Sequence, residues 1–262
     1  MKIGVTIPKE INGFLNDNDP NNQKIDNELW KFVIEINKFL YLLYRDDNLC
    51  INNEEKKYFF MIAAETHKTF QSILILSRKG LEEDAFTLLR RMYELLFKLR
   101  AIYNDVSNIQ EIKNDAIYEY NEFYKKRQKN FPGMEGYKLP YIDKEVKRKN
   151  SIYNWAQKAD SVDLYNWEYA ILSQYTHASF EAINSSSIQY EQCINLEYIP
   201  SFNNSRLLLT EAAFIILESA SILANKLDLS ENNVMIIDRK KIELKSFFKE
   251  NECFCGKMNR EK

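Results

Sequence analysis

Two short runs put ionisable and hydroxyl side chains inside segments whose apolar spacing otherwise predicts buried helix. In Gly80-Leu81-Glu82-Glu83-Asp84-Ala85 running into Leu88-Leu89-Arg90-Arg91-Met92-Tyr93-Glu94, Arg90 and Glu94 stand four residues apart, on one helical face. In Tyr169-Ala170-Ile171-Leu172-Ser173-Gln174-Tyr175-Thr176-His177-Ala178-Ser179, Ser173 and His177 share a face in the same way. Burying Arg, Glu or His without partners costs several kcal/mol, so these side chains are expected to meet one another between helices. Two chemistries fit that constellation. One is a structural network of an intrahelical ion pair and a cross-bundle hydrogen bond; the other is an acid–base site. The structural reading is the preferred one, because perturbed buried groups suggest sites without diagnosing them.

Other candidates fare less well. His67 lies with Ala63, Ala64, Phe70 and Leu74 on one face and reads as a satisfied core histidine. Lys125-Lys126-Arg127-Gln128-Lys129, followed by Lys144, Lys147, Arg148 and Lys149, is the one concentration of positive charge. Tyr124, Phe131, Tyr137 and Tyr141 are interleaved with it, a pattern suited to phosphates and stacked bases, although Lys at a helix C-terminus is also favoured by the dipole alone. Lys125, Lys126 and Arg127 are therefore substrate-binding candidates, with RNA as the partner of this local patch. No Gly-rich phosphate loop, His-x-x-x-His pair, nucleophile elbow or dinucleotide fingerprint occurs in the sequence. No cofactor is expected.

The elements that must position these residues are helices. Leu29, Trp30, Val33, Ile36, Leu40 and Leu43 recur at helical steps, which predicts a helix from about Asp26 to Arg45. Asn52 or Asn53 opens a second that reaches Arg78 and stops at Gly80; a third runs from about Leu81 to Asp105, and a fourth from Ser107 to about Lys129. Phe131-Pro132-Gly133-Met134-Glu135-Gly136 is the clearest loop. Helices resume near Tyr141 to Ala159 and, after the cap candidate Ser161, from Val162 to about Ala182. Between Ser185 and Asn204 short β-prone pieces predict an irregular or hairpin connection. A last strong helix spans Ser205 to Leu227, and Arg239 to Lys249 reads as a short helix and tail.

The expectation is an all-α protein, a single helical bundle of about seven helices over residues 23–228, with a leader over 1–22 and a charged C-terminal helix and tail over 229–262. Only six Gly and five Pro in 262 residues suit long helices better than a turn-rich sandwich. Thirty-six Lys and Arg against thirty-eight Asp and Glu give no global attraction to nucleic acid or anionic membrane. Pro8 and Glu10 break the N-terminal stretch, and no segment reads as a span of about 20 apolar residues, so a cytoplasmic protein without membrane contact is expected. Cys50 and Cys193 are isolated, which excludes a disulfide framework.

Gly80 to Glu94, Trp155 and Tyr169 to Ser179 together resemble a widespread, functionally uncharacterised bacterial family of helical proteins with a Leu-Leu-Arg-x-x-x-Glu helix and a Tyr-x-x-x-Ser-x-x-x-His helix. Such proteins are distantly similar to the HEPN superfamily of bundles, which populates toxin–antitoxin and phage-defence systems and includes metal-independent ribonucleases. The resemblance implies a homodimer, with a partner protein in such a system as a further expectation. The nuclease version carries Arg and His four to six residues apart on one helix, and this sequence departs from it, since neither His67 nor His177 has such an Arg. The resemblance would instead make Arg90 the phosphate grip, Glu94 its orienting group and His177 the acid or base, with Ser173 and Tyr175 at the substrate. Asn251-Glu252-Cys253-Phe254-Cys255-Gly256 resembles the opening of the small SEC-C zinc motif without its second half, and two thiolates are half of a tetrahedral site, so no metal is expected.

Overall fold

Asp26 starts the described chain by capping the first helix, α1 (Asn27–Leu43), its carboxylate accepting from the backbone of Glu28 and Leu29. The computed structural model describes residues 26–45, 49, 51–130, 149–176, 187–190, 193–196 and 202–248. Asn53 caps α2 (Glu54–Arg78) through Lys56 N, and Gly80 ends it at φ 72°, where a side chain would be strained. The Leu81 and Gly80 N–H groups return to the Leu76 and Ser77 carbonyls, so the sharp turn leads straight into α3 (Glu82–Asn104). Asp105 binds Ser107 before α4 (Asn108–Asn130) begins. Ser151 and Asn154 form a capping box on α5 (Ile152–Lys158).

The next helix is not regular. After α6 (Val162–Leu164) the backbone widens into a π segment at Tyr165–Tyr169, then returns to α7 (Ala170–Thr176). A π segment inserts a residue into the face pattern, and here consecutive residues Glu168 and Tyr169 are both buried while Trp167 faces outward. A two-stranded antiparallel hairpin follows, β1 (Ser187–Tyr190) and β2 (Cys193–Leu196), with Ser187 opposite Leu196. The expected connection near 185–204 thus holds a hairpin. The last two helices are α8 (Ser205–Lys226) and α9 (Glu231–Lys245). The all-α reading stands. α9 is opened by Ser230 and starts well before Arg239, where the charged segment predicts a short helix.

The core is built on α8, α3 and α2. Tyr93 reaches Glu211 and Arg100 reaches Glu218, pairs with the same sequence separation of 118, so α3 and α8 run parallel in register. Glu55 meets Lys226 and Lys56 meets Asp228, so α2 runs antiparallel to α8. Leu208, Leu209, Ala212, Ala213, Ile215, Ile216, Ala220 and Leu223 are buried along α8. This helix corrects one expectation from the sequence: its 22 residues are long and apolar enough to cross a membrane. In the bundle 78 % of its apolar window is buried, which accounts for the composition as that of a core helix. α9 lies against α8 through Ile237 and Leu244, with Lys241 bound to Glu218 at 2.5 Å and Lys240 to Glu35 at 2.6 Å.

Glu211 and His67 are among the titratable groups buried in this core. Glu211 is 2 % exposed and accepts from the Tyr93 hydroxyl at 2.6 Å; burial pushes its carboxyl up to about 7, against the opposing effect of that hydrogen bond. His67, as the sequence predicts, is buried in the core: its Nε2 lies 2.8 Å from Asn37 Oδ1, which also accepts from Gln71. Burial lowers His67 to about 4, so it is neutral near pH 7. The linkage signs oppose. Glu211 has a raised folded-state value, so its effect is to lower stability as pH rises from 4.5 through about 7; His67 has a depressed one, so stability falls as pH drops from 6.5 through about 4. Glu211→Gln should therefore gain about 3 kcal/mol over the wild type above pH 7, fading to none toward pH 4.5. Urea midpoints measured across that range check it, and an equal gain at every pH contradicts it.

Candidate functional site

The side chains of the two sequence motifs meet where α3 faces the π segment and α7. Arg90 Nη2 donates to the Tyr169 hydroxyl at 2.7 Å, and that hydroxyl donates to Glu94 Oε1 at 2.9 Å. Arg90 Nε stands 3.7 Å from the same carboxylate oxygen, one helical turn away. The Arg90 guanidinium also lies over the Tyr169 ring, 4.9 Å from its centroid. Tyr169 thus closes a ring of three contacts with the i,i+4 pair. One turn on, the Ser173 hydroxyl donates to the Tyr169 carbonyl at 2.9 Å and ties α7 back to the π segment.

The surroundings explain the electrostatics. Phe97 packs its ring against Tyr169 at 6.2 Å, and Tyr165 stacks on it at 5.1 Å with 20° between planes. Tyr153 of α5 meets Tyr165 edge-on at 5.3 Å. Burial in this aromatic wall raises the Tyr169 phenol to about 12; the bond from Arg90 opposes the rise and the Glu94 carboxylate adds to it. At neutral pH the phenol therefore keeps its proton. It is a fixed bridge, accepting from a cation and donating to an anion, rather than a base or a nucleophile. The Arg90 and Glu94 side chains are 23 % and 30 % exposed, so the pair lies at the bundle's edge and not in the deep core position that the apolar spacing of α3 suggests.

A second network seats the segment that carries Tyr153. Asp115 of α4, itself buried, accepts from the Trp155 indole at 2.9 Å and from the Asn150 backbone at 2.9 Å. Lys158 joins Asn108 and Glu111 at 3.0 and 2.8 Å, and Asn104 donates to the Lys158 carbonyl. Lys158 and then burial and Asn150 act on Glu111, with a net lowering of its carboxyl. The contacts hold α5 between α3 and α4, and so fix the angle at which the π segment approaches Arg90.

Of the residues predicted from sequence, Arg90 and Glu94 come together, and Ser173 joins them through the Tyr169 backbone. The Tyr175 side chain and His177 lie outside the described residues, as do Lys144, Lys147, Arg148, Cys253 and Cys255. Lys125, Lys126 and Arg127 stand exposed near the end of α4; Lys125 pairs with Glu122, Arg127 covers the Phe123 ring, and none of the contacts described for them reaches Arg90. His67 points to Asn37 on α1, away from this cluster. Among the described residues no group of three or more His, Cys, Asp or Glu is arranged to hold a metal. Tyr169 is the residue that sequence reasoning passed over. Its place at the head of the Tyr-x-x-x-Ser-x-x-x-His spacing puts it on the Ser173 face and was the available signal.

The model of a family of unknown function, DUF5677, matches residues 56–193. The chain belongs to the DUF5677 family. No curated protein and no solved structure matches it. The matched span runs from the first turn of α2 to the first hairpin strand and the start of the second, and holds Arg90, Glu94, Asp115, Trp155, Tyr169 and Ser173, so both networks of the site fall within the DUF5677 region. The geometry predicts that Tyr169→Phe, which keeps the ring over Arg90 and removes the bridging hydroxyl, destabilises the protein by about 1 to 2 kcal/mol in urea unfolding. A midpoint equal to wild type means that the hydroxyl bridge contributes nothing.

Proposed function

We propose that this DUF5677 chain is a non-catalytic helical interaction or sensor protein in which Arg90, Glu94 and Tyr169 lock the bundle. The observation that carries the reading is the Tyr169 hydroxyl, 2.7 Å from Arg90 and 2.9 Å from Glu94. A guanidinium gripping a scissile phosphate has to turn its donors to the ligand; here Arg90 turns one to a phenol of its own chain and lies flat on that ring. The phenol, held near 12, supplies no base at neutral pH. The bundle is HEPN-like in this reading, and the chain works in the cytoplasm as a homodimer, as a component of a phage-defence or toxin–antitoxin-like system with a partner protein.

The second reading, a HEPN-like metal-independent ribonuclease or nucleotide-modifying toxin, draws support from one observation. Arg90 and Glu94 are partly exposed, and His177 follows Ser173 at the spacing that continues the Tyr169 face. Arg90 would then hold a phosphate and His177 move the proton. Expression in a bacterial host separates the two. The interaction reading predicts growth equal to that with His177→Ala, and intact RNA after incubation with purified protein in chelator. Slowed growth relieved by both Arg90→Ala and His177→Ala, with metal-free RNA cleavage, would overturn it. Light scattering tests the pairing: about 62 kDa, twice the 31.2 kDa chain, is expected at micromolar concentration.

A further inference from the structure

Beyond Asp115 the fourth helix carries no buried side chain among those described, yet it presents large rings to solvent. Tyr120 is 60 % and Phe123 53 % exposed. Tyr120, Phe123, Tyr124 and Arg127 follow one another at steps that place them on one stripe of α4. Phe123 and Tyr124 meet edge-on at 5.6 Å, and the Arg127 guanidinium lies 5.7 Å from the Phe123 centroid. Lys126 flanks the stripe, exposed. The acidic residues of this half-helix are already engaged, Glu119 with Lys149 and Glu122 with Lys125, so the charge left beside the rings is positive.

We infer that this stripe is a binding surface for single-stranded nucleic acid, its rings stacking bases while Arg127 and Lys126 meet the backbone phosphates. Aromatic faces alternating with cations are what an unpaired strand recognises, because every base has a π face and every nucleotide a charge. From Tyr120 to Arg127 the stripe is about 10 Å long, room for about three bases stacked at 3.4 Å. Exposed rings at this spacing also suit a protein groove; the positive charge of Arg127 and Lys126 beside them, with Glu119 and Glu122 already paired, is what favours a polyanionic strand here. The inference uses no residue of the Arg90 cluster, so it holds or fails independently of the role proposed there.

Anisotropy titration of the full chain against a labelled 12-nucleotide U-rich RNA, the same sequence as DNA, and its duplex tests it. Binding of a single strand with Kd about 10 μM at low salt is expected, with log K falling against log salt at a slope of about −1.4 for two phosphates. Phe123→Ala should weaken binding about tenfold at an unchanged melting temperature, since the side chain is 53 % exposed. Lys126→Ala with Arg127→Ala should weaken it for all sequences alike and flatten the salt slope. Tighter binding to RNA or to DNA identifies the polymer. No binding of either strand at about 100 μM protein, duplex bound more tightly than single strand, or Phe123→Ala binding like the wild type would overturn the inference.

Discussion

A guanidinium and a carboxylate partly exposed at the edge of an apolar bundle form a weak pair on their own, worth a few tenths of a kcal/mol at i,i+4 spacing. The Tyr169 hydroxyl changes that. It is aimed at both charges at once from another segment of the chain, and the Phe97 and Tyr165 rings around it keep the contact sheltered. The rest of the site depends on this contact. The π segment has to turn Tyr169 inward, Trp155 and Asp115 have to seat α5 in front of it, and Ser173 has to tie α7 to its carbonyl.

The same device recurs along α3. Glu82 receives the Asn204 backbone N–H at 2.9 Å, Tyr93 reaches Glu211, and Arg100 reaches Glu218 and Ser161. Tyr93 and Arg100 are seven residues apart, as are Glu211 and Glu218, so the polar rungs repeat every two turns between parallel helices. An apolar interface alone tolerates sliding by a turn. Here sliding would leave the Glu211 carboxyl in the core without Tyr93 and separate Glu218 from Arg100, so the rungs fix register while the Leu, Ile and Ala side chains of α8 supply the burial. At Glu218 burial pushes the carboxyl up, and Lys241 and Arg100 together outweigh it, leaving it lowered and charged. Glu211 meets the Tyr93 hydroxyl in place of a cation among the described residues, and burial raises it. Two carboxylates two turns apart therefore behave oppositely.

Much of the helical framework was legible because its signals are local. Asn53 and Gly80 bracket α2, and the spacing of Leu29 to Leu43 fixes a face for α1, whereas the starts of α5 at Ser151 and α9 at Ser230 differ from the Tyr141 and Arg239 starts expected from the sequence. Contacts between distant segments are legible only as demand: Arg90 and Glu94 need a partner, but Ser173, His177 and Tyr169 share one helical spacing, and nothing local marks Tyr169 as the one that reaches the pair. The π segment has no local signature in Tyr165-Asn166-Trp167-Glu168-Tyr169, and without its inserted residue a regular wheel misplaces Glu168 or Tyr169. The edge position of Arg90 and Glu94 is hidden in the sequence for a related reason. Leu88 and Leu95 mark a wide apolar face, and a wide face has an edge at which polar residues belong. α8 reads as a span by composition alone because burial by protein and burial by lipid select the same residues.

The central claim is that Tyr169 and Glu94 are energetically coupled through the hydroxyl, so that the second motif docks on the first. A double-mutant cycle with Tyr169→Phe and Glu94→Gln, read as unfolding free energy in urea, measures that coupling directly. The account predicts a coupling energy of about 1 kcal/mol, the double variant being less destabilised than the sum of the single ones. Strict additivity would contradict it and leave the three side chains as neighbours without a shared role.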